Sequence, residues 1–214
     1  MRKIWAASLS LLAVATISLA VLPVACAQPS ASDAAQDLLA VTRNDRILGS
    51  PTAPITIIEY ASMTCPHCAH FAEDVLPAIK KTWIDTGKAK LVLRDFPLDD
   101  EAVHASMIAR CAPPGRFYAY VDTFFADQDK WVEAPDYQAE LTRLAELGGM
   151  SKDEVGKCLN DKTLENQVLA SRLAAGNQLG VNATPTFFVN GTKFTGEPTV
   201  AKFDQLLSGL AQKS

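Results

Sequence analysis

The sequence predicts an α/β fold interrupted by an inserted all-helical domain. Three observations carry this reading. Two aliphatic, partly β-branched runs, residues 55–60 (ITIIEY) and 89–96 (AKLVLRDF), bracket a segment with helical spacing. From about residue 99 to 180 the patterning is almost wholly helical. Strand character then returns at Thr186-Phe187-Phe188-Val189, ahead of an Asn190-Gly191 turn and a closing helix.

The chain begins with an address. Met1-Arg2-Lys3 is basic, residues 4–22 are apolar apart from a few Ser and Thr, and Ala25-Cys26-Ala27 has the A-x-A form. Together these make a secretory signal peptide, residues 1–27, cleaved after Ala27. An uncleaved anchor and lipidation at Cys26 are the alternatives. Lipidation calls for a branched apolar residue three positions before the cysteine, where Pro23 stands. No later stretch is long and apolar enough to span a bilayer, so a soluble mature protein is expected. The 214 residues carry 20 Lys and Arg against 24 Asp and Glu, for a net charge of −4. Cleavage would remove Arg2 and Lys3 and no acid, leaving a more acidic chain that is ill suited to nucleic acid. It would also leave four of the five cysteines, in an oxidising compartment where disulfides persist.

Taken in order, residues 28–48 are a lead-in rich in Ala, Ser, Asp and Gln, mobile or folded as a short helix and too short for an oligomerisation stalk. After the first strand comes Cys65-Pro66-His67-Cys68, then Phe71, Val75, Leu76 and Ile79 at helical spacing. Pro77 should kink that helix and Thr86-Gly87 end it. In the helical stretch, Val103, Met107, Ile108 and Cys111 mark one face, and Pro113-Pro114-Gly115 is a stop. Aromatic-rich residues 117–125 and residues 137–147 give two more helices. Ser151-x-x-Glu154 is a capping box opening the helix that holds Cys158. A last helix, about 162–179, should turn Leu164, Val168, Leu169 and Leu173 inward and stop at Gly180. Without the helical middle the order is β-α-β then β-β-α, the minimal thioredoxin order.

A C-x-x-C where a strand hands over to a helix has specific chemistry. The helix N-terminus offers unsatisfied N–H groups and the positive end of the macrodipole, and both favour thiolate. Pro66 suits the first turn, and His67 adds positive charge or a hydrogen bond beside the sulfur. Cys65 is then the solvent-facing reactive sulfur and Cys68 the buried resolving one. A zinc site through Cys65, Cys68, His70 and His104 is the structural alternative, as is an inert disulfide. Thr184-Pro185 before a strand reads either as simple punctuation or as a cis-proline loop facing the C-x-x-C, its Thr184 backbone free to pair with a substrate peptide. Glu59, on an otherwise apolar strand, is either a solvated edge charge or a costly buried acid. Cys111 and Cys158 read as a structural disulfide within the insertion, or else as two separate thiols.

Cys65-Pro66-His67-Cys68, the inserted helices and Thr184-Pro185-Thr186-Phe187-Phe188-Val189-Asn190-Gly191 resemble the DsbA family of bacterial periplasmic thiol:disulfide oxidoreductases. The stretch from Glu59 to Cys68 (EYASMTCPHC) is similar to its DsbA-like branch. The resemblance implies a thioredoxin-like domain over residues 49–98 and 181–214, with the inserted helical domain over 99–180. It also implies a periplasmic dithiol oxidase, monomeric and without cofactor or metal. Such an enzyme passes its disulfide to reduced secreted proteins and is reoxidised by a DsbB-like quinone-linked membrane partner. In the family the position of Glu59 relays the proton of the buried cysteine, here Cys68. Arg94 on the neighbouring strand is a candidate counter-ion for Glu59, a pairing that sequence alone leaves open. Thr184 departs from the apolar residue of the best-known oxidases and leaves a disulfide isomerase or reductase as the alternative. A soft-metal-binding protein is the rival from another class, unsupported by any Met-rich or His-rich tract.

Overall fold

The computed structural model describes residues 31–213. The signal-peptide reading therefore lies outside the described residues. Five strands form one mixed sheet in the order β1-β3-β2-β4-β5. Central β2 (Ile55–Ala61) runs parallel to β3 (Ala89–Asp95) and antiparallel to β4 (Thr186–Val189). β4 turns into β5 (Thr192–Lys193) through Asn190 and Gly191, whose φ angles of 45° and 80° suit the tight turn anticipated there. β1 (Ile47–Gly49), which the sequence did not reveal, pairs antiparallel with β3. A three-residue edge strand is too short to show alternation.

Side chains alternate across the sheet and sort the core. On one face Ile55, Ile57, Leu91, Phe187 and Val189 pack against Phe71, Val75, Ile79, Phe203 and Leu207. On the other, Ile58, Tyr60, Val92 and Phe188 pack against Ala175 and Val181. The helical run after β2 comprises α2 (Pro66–His70), a π-helical turn (Phe71–Val75), α3 (Leu76–Ile79) and a second π-helical turn (Lys80–Ile84). The first π turn precedes Pro77. A proline has no N–H to give the helical ladder, and the widened turn is the local answer to that loss. α10 (Val200–Ala211) closes the same face, with Phe203 and Leu207 fully buried.

Between β3 and β4 lie α4 (Asp100–Cys111), α5 (Phe117–Ala126), α6 (Gln128–Val132), α7 (Tyr137–Leu147), α8 (Lys152–Leu159) and α9 (Lys162–Leu179). α4 is buried on almost every side, with Ala102, Val103 and residues 105–109 all buried, so it is the hub of the insertion. α6 was not anticipated from sequence. The capping box forms at Ser151 and Glu154, and Gly180 ends α9 in the left-handed region at φ 61°. Leu173, expected inward, is 63% exposed, and Ala175 faces the core instead. At the open edge of β3, beyond its pairing with β1, the Tyr118 hydroxyl accepts from the Leu93 N–H at 3.1 Å and reaches the Arg46 carbonyl at 2.8 Å. A side chain there completes a ladder that no strand supplies.

Cys111, at the end of α4, and Cys158, in α8, are disulfide-bonded across 47 residues. Closing a loop of that length removes about 4 kcal/mol of denatured-state entropy in the chain-entropy account. The Cys111→Ser, Cys158→Ser double variant should therefore unfold at clearly lower urea concentration than the parent. A matching midpoint would show that the bridge does not stabilise the fold.

Candidate functional site

β2 ends at Ala61 and the chain turns through Ser62, Met63 and Thr64 into α2. Cys65 is the N-cap of α2, extended at φ −82° and ψ 118°, and Pro66 occupies the first helical position, where its missing N–H costs nothing. The Thr184–Pro185 peptide is cis, and the Thr184 carbonyl lies 3.3 Å from the Cys65 sulfur. That loop covers the sulfur. Cys65 is consequently 5% exposed rather than open to solvent as its position in the motif suggested, and Cys68 is 0% exposed.

The two sulfurs share one helical turn but differ in chemistry. Cys65 is held far below an ordinary thiol, at about 5, first by a hydrogen bond from Cys68, with Thr184 and the backbone N–H groups of Cys68 and His67 adding to it against the opposing effect of burial. As a thiol, Cys65 donates to the Thr184 carbonyl. As a thiolate it becomes an acceptor, and the Thr184 hydroxyl, buried and without a hydrogen-bond partner in the dithiol form, is at hand to serve it. Cys68 is pushed far above an ordinary thiol by burial, then by its bond to Cys65 and by the charge of Glu59. Glu59, 2% exposed, is raised to about 8 by burial and then by negative charge at Cys65. At neutral pH the reduced site thus holds one negative charge, on Cys65.

His67 is exposed and gives Cys65 its backbone N–H. Its ring lines a cleft of about 410 Å³ together with His70, Thr184, Pro185, Pro198 and Val200. A larger groove of about 690 Å³ lies between β5 and α10 and touches neither free cysteine. Arg94 is not the counter-ion of Glu59. In register it sits beside Tyr60, on the opposite face of the sheet, where it binds both Asp45 oxygens at 2.9 Å, the Tyr60 hydroxyl and the Leu38 and Ala40 carbonyls. The zinc reading required Cys65, Cys68, His70 and His104 together. Instead His70 lies 2.7 Å from Asp74 and His104 2.8 Å from the Tyr137 hydroxyl. Among the described residues no cluster of three or more His, Cys, Asp or Glu is arranged to hold a metal.

Two ties that no local sequence pattern marks join the insertion to the loop before Cys65. The Thr64 hydroxyl donates to Asp99 at 2.7 Å, and Asp99 also caps α4 by accepting from the Ala102 N–H at 2.8 Å. The Gln128 carboxamide donates to the carbonyls of Met63 and Cys65. No sequence signal marks Gln128, because its partners are backbone atoms more than 60 residues away.

The site makes stability depend on redox state and pH together. Between about pH 5 and 9 Cys65 is deprotonated in the folded reduced protein but protonated once unfolded, so this group adds stability as pH rises. Glu59 acts oppositely between about pH 4.5 and 8, being protonated when folded and ionised when unfolded. Disulfide formation silences the cysteine and leaves Glu59. The stability of the reduced protein minus that of the oxidised one should therefore rise with pH from about 5 to 9. Urea unfolding of both forms across that range measures it, and parallel pH profiles would contradict the assignment of a low Cys65 pKa.

Comparison with known proteins agrees with this architecture. A family profile described as Thioredoxin matches residues 41–208. A Rickettsia typhi protein named as a protein-disulfide oxidoreductase is 34% identical over 72% of this chain. The alignment takes in 57% of that relative, so the chain spans little more than half of its length. Disulfide bond formation protein D of Bacillus subtilis is 27% identical over 67% of each chain. The crystal structure of Wolbachia pipientis alpha-DsbA1 is 34% identical and superposes with a TM-score of 0.78, covering 84% of this chain and 96% of that one. On its sheet order, its helical insertion, its C-x-x-C at a helix N-terminus and these likenesses, the chain belongs to the DsbA-like branch of the thioredoxin family.

Proposed function

We propose that this protein is a thiol:disulfide oxidoreductase that introduces disulfides into reduced secreted proteins. The observation that carries this is the difference between two sulfurs in one turn: Cys65 stabilised as thiolate at about 5, and Cys68 buried and held as thiol beside Glu59. A thiolate that stable is a good leaving group, and a dithiol that stable gives up its disulfide readily.

The reaction starts from the Cys65–Cys68 disulfide. A substrate thiolate attacks the Cys65 sulfur, forming the mixed disulfide and expelling Cys68, which takes a proton from the neutral Glu59 carboxyl. A second substrate thiolate attacks the substrate sulfur of the mixed disulfide and releases Cys65 as thiolate. The substrate loses two electrons and the protein gains them. His67, Thr184 and Pro185 border the cleft where the substrate segment lies, and the Thr184 backbone pairs with it. Reoxidation falls to a DsbB-like membrane quinone reductase. Residues 1–27 direct the chain to the periplasm and are cleaved, leaving a monomer without cofactor. Among the described residues no helix is long and apolar enough to cross a membrane.

Isomerase or reductase action is the second reading, favoured by one feature, the Thr184 hydroxyl beside the sulfur. The redox state of Cys65 and Cys68 in cells separates the two, with mostly oxidised protein expected here. Cys65→Ala should abolish oxidation of a reduced, unfolded protein, while Cys68→Ala should accumulate mixed disulfides visible by thiol-trapping electrophoresis. Exchange surviving in Cys65→Ala would overturn the assignment of the attacked sulfur. Glu59→Gln should slow turnover roughly 10- to 100-fold, at or below the low end for a positioned acid–base group, and remove from the rate profile the inflection set by Glu59, which burial places above the ordinary carboxylate range. An unaltered profile would take Glu59 out of the proton path.

A further inference from the structure

Gln128 is the first residue of α6, in the inserted helices, and is 5% exposed. Its Nε2 donates to the Met63 carbonyl at 2.7 Å and to the Cys65 carbonyl at 3.2 Å. A buried carboxamide is costly unless its hydrogen bonds are made, so its presence here fixes two carbonyls that the chain must leave inside the protein. The Cys65 carbonyl already accepts from the Cys68 N–H at 3.0 Å and the Ala69 N–H at 3.2 Å, as the opening of a helix requires. Gln128 therefore adds its donor at the one residue whose backbone sets both the start of α2 and the direction of the reacting sulfur.

The helix carrying Gln128 is itself firmly placed. Trp131, one turn on, is 0% exposed and donates its indole N–H to the Phe124 carbonyl at 2.7 Å. Met63, Cys65 and Cys68 share a single apolar cluster with Phe124 and Trp131. The loop is thus held between a rigid helix pair on one side and the Thr184–Pro185 turn on the other. The Cys68 thiol is the first support of the low Cys65 pKa, with Thr184 and the backbone N–H groups of Cys68 and His67 adding to it, and all of these partners meet the sulfur only while the Cys65 backbone keeps its capping conformation.

We propose that Gln128 is a positioning residue for Cys65, the tie by which the inserted helices hold the backbone of the nucleophile loop in place through the Met63 and Cys65 carbonyls. The proposal deepens the oxidoreductase reading, since it takes Cys65 as the reacting sulfur. It can be tested on the reduced protein without substrate, so its failure and the failure of that reading are separable.

Gln128→Met keeps the volume and removes the donor. Followed by thiolate absorbance, its Cys65 titration should move upward by about half a unit to one unit, the scale of losing one modest hydrogen bond. Oxidation of a dithiol substrate should slow through kcat more than through KM. Trp83→Phe, which breaks the 2.6 Å bond from the Trp83 indole to Asp204 in the separate apolar cluster against α10, should lower the unfolding midpoint and leave the Cys65 titration in place. An unmoved titration in Gln128→Met, or an equal shift in Trp83→Phe, would overturn the proposal. Should Gln128→Met fail to fold, the parent protein decides. The side-chain amide resonances of Gln128 should follow the Cys65 titration near pH 5 by NMR. Resonances that stay flat while the Cys68 backbone amide titrates would equally overturn it.

Discussion

The structure turns on one constraint: a strand in the middle of the sheet must end where a helix begins, with a cysteine as the capping residue. Cys65 has no side-chain oxygen with which to cap α2, and its sulfur takes that place as a negatively charged acceptor for the first free N–H groups. The same placement puts Cys68 one turn in, fully buried, with Glu59 beneath it on β2. β2 lies between β3 and β4, so the strand that delivers the motif is buried on both sides and held at both edges. A site on an edge strand would be free to fray, and the sulfur-to-backbone geometry with it.

Three ionisable groups then compete within one weakly screened volume. Negative charge on Cys65 raises Glu59 and Cys68, charge on Glu59 raises Cys68, and burial raises all three. Only Cys65 has donors enough to win, so it carries the charge and the others keep their protons at neutral pH. The proposed exchange draws on that arrangement: in it the neutral Glu59 has a proton to give as Cys68 leaves, and the stabilised Cys65 leaves easily in turn.

Much of this was legible in the sequence, and the limits are instructive. The β2 and β3 runs, the Asn190-Gly191 turn, the Ser151–Glu154 capping box and the stop at Gly180 rest on local chemistry, and each formed as read. The C-x-x-C and Thr184-Pro185 were visible as motifs, and the fold brings them within 3.3 Å. What failed needed long-range knowledge. β1 is three residues long and has meaning only against β3. Leu173 follows the apolar spacing of α9, but α9 buries a narrow stripe through Val168 and Ala175, and the leucine falls outside it. Gln128 looks like any polar residue at the end of an aromatic run until the loop it supports is folded against it.

The separation of Arg94 from Glu59 depends on a single position along β3. Had Arg94 stood one position earlier on β3, it would have shared a face with Glu59. A guanidinium there would hold Glu59 ionised, and a fixed carboxylate has no proton to give Cys68 at neutral pH. In the actual register the sheet divides its charges. On the far face Arg94 is fully engaged by Asp45, Tyr60 and two carbonyls of the N-terminal segment, and it serves as the anchor that ties this segment down. On the near face Glu59 is left without an arginine or lysine partner among the described residues, and its pKa rises to about 8. An arginine one position earlier would leave most of the hydrophobic pattern intact and still take from Glu59 the proton that the proposed mechanism asks of it, so in that mechanism the position of one charge on β3 matters to chemistry as well as to folding.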